Sequence, residues 1–172
     1  AEHPEENPFY PYFTKRLRGL LERTDSPNDK IVGFSLNYLS QAFCTFAMIG
    51  FLKKEYPEIA IVLGGGLVTS WKRGPGWSTV FSGLVDHVIA GPGEQALLDL
   101  AGAPVTEPRR FAPDYGPLPL RDYLSPGIIL PYSGASGCYW SRCSFCPETA
   151  EGNCYRPVPV QQARDDLSAL IR

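Results

Sequence analysis

Apolar positions change period several times along the chain, and each change predicts an element. Ile31-Val32-Gly33-Phe34-Ser35-Leu36 is a nearly continuous apolar run after the turn signal Ser26-Pro27-Asn28-Asp29, and predicts a short strand buried on both faces. From Leu39 to Tyr56 the apolar residues, among them Ala42, Phe43, Phe46, Ala47 and Ile49, recur mostly at spacings of three and four. Lys53, Lys54 and Glu55 solvate the last turn and Pro57 stops it, so this segment predicts a helix. Ile59 to Leu63 predicts a second buried strand that runs into Gly64-Gly65-Gly66. Strand, helix and strand at this length make a βαβ unit, with parallel strands and a right-handed crossover. Leu84 to Ala90 predicts a third strand, and Gly91-Pro92-Gly93 turns into a helix from Glu94 to Leu100 with an acidic residue in its first turn.

The ends of the chain read differently. Leu17, Leu20 and Leu21 share a face of a basic amphipathic run from Phe13 to Arg23, which predicts a helix ending near Asp25. Prolines at 104, 108, 113, 117, 119 and 126 interrupt any periodicity and predict a semi-extended linker. Ile128 to Tyr132 then predicts one more strand, and residues 160–171 a final amphipathic helix. The expected organisation is an α/β domain over 1–101, a Pro-rich linker over 102–126 and a second unit over 127–172. With one strand and one helix, that second unit has too little apolar surface for an independent fold, so the chain reads as cut from a longer one.

Composition narrows the class. A chain of 172 residues that is 44% hydrophobic and 20% charged, with nine Phe, nine Tyr and three Trp, is globular, while seventeen Gly and seventeen Pro predict long irregular stretches. A formal net charge of -2 provides no field to steer a polyanion, so nucleic acid is not an expected partner. The longest apolar runs fall far short of a bilayer span, and no basic n-region precedes an apolar core. The expectation is a cytoplasmic chain with no membrane partner. Five cysteines cannot all pair, and three of them crowd between Cys138 and Cys146, a spacing that suits a metal better than a disulfide framework.

That crowded stretch carries the chemistry. Cys138-Tyr139-Trp140-Ser141-Arg142-Cys143-Ser144-Phe145-Cys146 places three thiols within nine residues, after Ser136-Gly137. Three thiolates on one loop bind one metal centre from one side; on a cubane iron-sulfur cluster they occupy three irons and leave the fourth to a small molecule.

The loop resembles the cluster loop of radical SAM enzymes, in which three cysteines bind a 4Fe-4S cluster and S-adenosylmethionine chelates the unique iron. The family's spacing is C-x3-C-x2-C with an aromatic before the last cysteine. Phe145 and the gap between Cys143 and Cys146 match, whereas Cys138 and Cys143 enclose four residues instead of three. The resemblance implies that Cys138, Cys143 and Cys146 are cluster ligands and that Phe145 lies near the adenine. Upstream, Val32-Gly33-Phe34-Ser35, Gly64-Gly65 with Thr69-Ser70, and Gly91-Pro92-Gly93-Glu94 are similar to the cobalamin-binding domain that precedes the barrel in one radical SAM subfamily. There Ser35, Gly64 and Gly65 would surround the nucleotide tail of cobalamin, beyond the carboxyl ends of a Rossmann-like sheet.

The implied whole is an enzyme that reduces S-adenosylmethionine by one electron and abstracts hydrogen from a small-molecule or peptide substrate through a 5'-deoxyadenosyl radical. It would draw electrons from a donor such as a flavodoxin-type protein, and methyl transfer through cobalamin could follow. The implied fold is a Rossmann-like parallel sheet with flanking helices, then the linker, then the first strand, cluster loop and helix of a truncated (β/α) barrel. The sheet would lack its first strand, and the segment alone would not turn over.

Other readings use the same residues. Cys154 completes a C-x4-C-x2-C-x7-C set, enough for a structural four-cysteine zinc tail on a non-catalytic Rossmann-like binding module, or for a closed electron-carrying cluster. Glycines after buried strands also simply make turns. No D-x-H-x-x-G sequence occurs, and His3 and His87 read as surface or packing residues. Cys44 reads as a core residue beside its helix's apolar stripe. Tyr139 and Trp140 are placed to shield the loop, with Arg142 either an exposed charge or a group that tunes the cluster.

Overall fold

The computed structural model describes residues 1–23, 31–77, 81–103, 113–146, 148 and 153–171. The chain divides into two compact units, Ala1–Gly102 and Ala103–Arg172. The fold is mixed α/β, with a three-stranded parallel sheet and five α-helices among the described residues.

In the first unit a single turn of 3-10 helix, Pro4–Glu6, precedes α1, Tyr10–Leu21. This helix begins three residues before the predicted one, because Pro11 fits a first turn whose N–H groups have no intrahelical partner. Thr14, which is buried, donates its hydroxyl to the Tyr10 carbonyl at 2.7 Å. Phe13 and Leu21 are buried while Leu20 is exposed, so the inward stripe is Phe13, Leu17 and Leu21.

Strand β1, Ile31–Ser35, crosses over through α2, Leu39–Glu55, to β2, Ala60–Gly64. The strands are parallel, with Ile31 opposite Ala60 and Ser35 opposite Gly64. A short helix α3, Gly66–Lys72, follows β2, and β3, His87–Val88, pairs on its other side. The order β1-β2-β3 makes β2 central, and Ile61, Val62 and Leu63 are buried. The prediction that β1 is buried on both faces is corrected: Ile31, Gly33 and Ser35 are exposed and Val32 and Phe34 half-buried, because β1 is an edge strand. The third strand is shorter than its apolar run, although hydrogen bonds from the Asp86 N–H to the Ile61 carbonyl and from the Ile89 N–H to the Leu63 carbonyl prolong the pairing. Gly91, at φ +80°, then turns the chain into α4, Glu94–Leu100, as predicted.

The core lies where α2 covers the sheet. Leu36, Ile49, Leu52, Ile61, Leu63 and Val68 are wholly enclosed, and Phe51 meets Tyr10, Phe13 and Tyr56 edge-on. Cys44 is half-buried and packs against this core; His3 and His87 are exposed.

The second unit has little regular structure among its described residues. Most of the first half of the predicted linker lies outside them, and its remainder turns through a single 3-10 turn, Leu120–Asp122. The predicted strand over 128–132 does not form. A strand needs a hydrogen-bonded neighbour and Pro131 has no N–H to give, so Ile128 and Ile129 stay exposed. Instead β4, Ala135–Ser136, pairs antiparallel with β5, Arg156–Pro157, which leads into α5, Val160–Leu170. Tyr132 donates its hydroxyl to the buried Asp166 carboxylate at 2.8 Å, tying the stretch before β4 to α5. No described helix is long and apolar enough to cross a membrane.

Candidate functional site

Two places carry the residues singled out from sequence. The first is the carboxyl edge of the parallel sheet. Ser35 ends β1 and Gly64 ends β2, side by side in register. Beyond them the chain binds itself: the Leu36 N–H donates to the Gly64 carbonyl at 2.8 Å, and the Leu67 N–H to the Leu36 carbonyl at 3.2 Å. Asn37, which sequence reasoning missed, organises the rest. Its side-chain amide donates to Ser35 Oγ at 3.1 Å, and its Oδ1 accepts the Gly66 N–H at 2.8 Å. Its own N–H and that of Tyr38 donate to Gln41 Oε1, each at 3.1 Å, which caps α2. The available signal was an Asn directly after a strand and four residues before Gln41, a side chain suited to closing such a turn. On the far side, Gly91 donates its N–H to Thr69 Oγ1 at 2.9 Å.

The glycines here serve the fold. Gly65 sits at φ +104°, and a Cβ on it would lie 2.4 Å from the Leu36 carbonyl oxygen. A Cβ on Gly64 would lie 3.3 Å from the Ile89 carbonyl oxygen. At both positions a side chain would meet neighbouring backbone, so the fold itself calls for glycine there. A cavity of about 590 Å³ in the same unit is lined by His3, Asn7, Phe43, Phe46, Phe81 and Leu84 among others, and includes none of Ser35, Gly64 or Gly65.

One carboxylate near the sheet is electrostatically distinct. Asp86 accepts the Ile61 N–H at 2.7 Å and the Lys53 ammonium at 2.8 Å. Burial pushes its carboxyl up, but the Ile61 hydrogen bond and the Lys53 charge outweigh that and hold it below the usual carboxylate range. It pins α2 to the sheet.

The second place is the cysteine loop. The β4–β5 ribbon pairs Ala135 with Pro157 and Ser136 with Arg156, and the Val158 N–H donates to the Gly134 carbonyl at 2.9 Å in the same register. Gly137, at φ +68°, bends the strand out of the ribbon, and a Cβ on it would lie 2.5 Å from the Cys154 carbonyl oxygen. Cys138 follows immediately. The loop runs through Ser141, the one non-glycine residue at positive φ among those described, to a turn closed by the Cys146 N–H donating to the Cys143 carbonyl at 3.2 Å.

Cys138, Cys143 and Cys146 are half-buried thiols and Cys154 is exposed. Phe145 is 89% exposed. The predicted shield is open as well: Tyr139 and Trp140 are exposed, Tyr139 packing edge-on against Tyr155 and Trp140 lying under the Arg142 guanidinium at 5.5 Å.

The donor set fits a thiophilic centre, since three soft sulfur ligands leave one strand end on one short loop. Among the described residues, no three His, Cys, Asp or Glu side chains are gathered closely enough to hold an ion. Compared with protein-family models, curated proteins and solved structures, the chain has no match.

Proposed function

We propose that this chain is a segment of a radical SAM iron-sulfur enzyme. The observation that carries the reading is the loop from Cys138 to Cys146: three thiols, half-buried rather than sealed, between a bent strand end and a closed turn. In this reading Cys138, Cys143 and Cys146 hold a 4Fe-4S cluster through their sulfurs. When bound, that cluster supplies one-electron reduction of S-adenosylmethionine at its open iron. Phe145 offers an exposed aromatic face to the adenine, and Arg142, stacked on Trp140, keeps a positive charge beside the loop. The parallel sheet of the first unit is the Rossmann-like domain, and residues 127–172 carry the cluster loop and the helix that follows it. A flavodoxin-type protein serves as electron donor, and the substrate is a small molecule or a peptide.

A second reading, a binding module with a four-cysteine zinc tail, draws on the contact between Gly137 and the Cys154 backbone, which brings the fourth thiol-bearing residue to the loop. Anaerobic reconstitution with iron and sulfide separates the two. The enzyme reading expects a 4Fe-4S signal in electron paramagnetic resonance that shifts when S-adenosylmethionine is added. It further expects Cys138→Ser, Cys143→Ser and Cys146→Ser each to lose the iron while Cys154→Ser keeps it. One tight zinc with no iron, lost in Cys154→Ser, would establish the zinc tail instead.

A further inference from the structure

The β4–β5 ribbon positions a thiol that the proposed cluster does not use. From Gly134 opposite Val158, through Ala135 opposite Pro157 and Ser136 opposite Arg156, each step forward on one strand is a step back on the other. The ladder ends at Ser136 and Arg156, and contacts beyond it keep the two stretches side by side. Gly137 abuts the Cys154 backbone, and Tyr139 packs its ring 6.0 Å from that of Tyr155. Cys138 lies between these two contacts, one Cα step of about 3.8 Å from the residue that abuts Cys154, a separation of the order a disulfide spans. Cys154 is exposed and Cys138 half-buried, so an oxidant reaches one sulfur first and the other is placed to resolve it.

We propose that Cys138 and Cys154 form a reversible cross-strand disulfide when the loop carries no metal, with a peroxide as the oxidant. The Cys154 sulfur attacks one peroxide oxygen, the O–O bond breaks, and a sulfenic acid and one water form. The Cys138 sulfur then attacks the sulfenic sulfur, the S–O bond breaks, and the oxygen departs as a second water. Two thiols lose two electrons and two protons, and hydrogen peroxide takes up both. That the bond also withdraws a cluster ligand rests on the proposed function; that it forms does not.

The test uses the whole chain, iron-free and fully reduced, exposed to stoichiometric hydrogen peroxide, blocked with N-ethylmaleimide and digested without reductant for mass spectrometry. The expected main product is a cross-linked peptide joining Cys138 to Cys154, reversed by dithiothreitol. In Cys154→Ser that peptide is absent and Cys138 takes up the label. A main cross-link between Cys143 and Cys146 would overturn the pairing, as would Cys154 oxidised past the sulfenic acid with Cys138 still labelled. The oxidised chain should also take up roughly tenfold less iron than the reduced chain, one of three ligands being withheld. If the cross-link forms and the reduced chain still takes no iron, the thiol pair stands and the cluster fails. If iron enters and no cross-link forms, the reverse holds.

Discussion

The two units hold apolar side chains to different effect. In the first, β2 is paired on both sides and α2 lies across it, so Leu36, Ile49, Leu52, Ile61, Leu63 and Val68 leave solvent entirely. In the second, Val158 and Asp166 are the only buried residues among those described, while Leu124, Ile128, Ile129, Phe145 and Ile171 stay exposed. Apolar composition is therefore not what separates them. A core needs an element wide enough to be covered, and a ribbon of two residues per strand is not one. The first unit is held by burial. The second draws on point contacts such as Tyr132 with Asp166; ligation of its thiols, if the proposed function holds, would add local order.

The largest expected effect tests that contrast directly. Leu52→Ala should lower stability by about 2–5 kcal/mol, the cost of a cavity in a closed core. Ile129→Ala, at a side chain 78% exposed, should change it by no more than about 0.5 kcal/mol. Urea denaturation followed by circular dichroism reads both. Comparable losses would mean that Ile129 has a covered partner and that the contrast is false.

A matched pair of glycine substitutions sharpens it. Gly65→Ala places a Cβ at φ +104° against the Leu36 backbone and should cost the fold about 1–3 kcal/mol or more, seen as an earlier urea transition. Gly137→Ala makes the same chemical change at φ +68° against the Cys154 backbone. Its effect should fall on the thiols: the main urea transition holds, while cross-linking of Cys138 to Cys154 is lost as the ribbon parts. A large urea shift for Gly137→Ala would show that the second unit's order is coupled to the cooperative core.

The same contrast decides what was legible in the sequence. The first unit was readable almost element by element, because α2 and β2 each show one period and the chain's own spacing brings them together. Two things went unread there: the helix α3, Gly66–Lys72, and the exposure of β1, whose apolar run reads the same at an edge as at a centre; pairing partners decide burial, and they are non-local. In the second unit the run from Ile128 to Tyr132 has strand composition without a neighbour, and composition cannot supply one. The cysteine spacing marked the loop, but not the nearness of Gly137 to the Cys154 backbone, which depends on a ribbon whose strands, Ala135–Ser136 and Arg156–Pro157, give almost no pattern. At the sheet edge, Gly64 and Gly65 read as a turn or a ligand approach alike, and what the fold asks of them, backbone packing against Leu36 and Ile89, is non-local and does not show in the sequence. Asn37 went unseen because a single polar residue after a strand has no periodicity to reveal it.

The smallest expected effect concerns how the first unit is fastened. Asp86 joins the β2 backbone at Ile61 to the Lys53 side chain of α2, and both contacts favour its ionised form. Its folded pKa therefore lies below its unfolded value, which is near 4. A depressed carboxyl contributes stability that is fully present above the unfolded pKa and lost as pH falls through the folded one. Asp86→Asn keeps an acceptor for the Ile61 N–H but removes the charge. Because the Asp86 side chain is 41% exposed, the pair is screened, and the variant should lose about 1 kcal/mol or less at neutral pH. That difference should hold down to about pH 5, shrink through the acid range and vanish once the wild-type carboxyl is protonated. Molar salt should shrink it at every pH, since an exposed pair feels counter-ions that a sealed one does not. Urea midpoints measured across that range check the sign. A difference that grew toward acid would mean that burial dominates and the carboxyl is held neutral, whereas a constant one would mean that only the hydrogen-bond geometry was lost. Iron uptake and the thiol cross-link should be the same in wild type and Asp86→Asn at every pH, because Asp86 fastens only the unit that is held by burial.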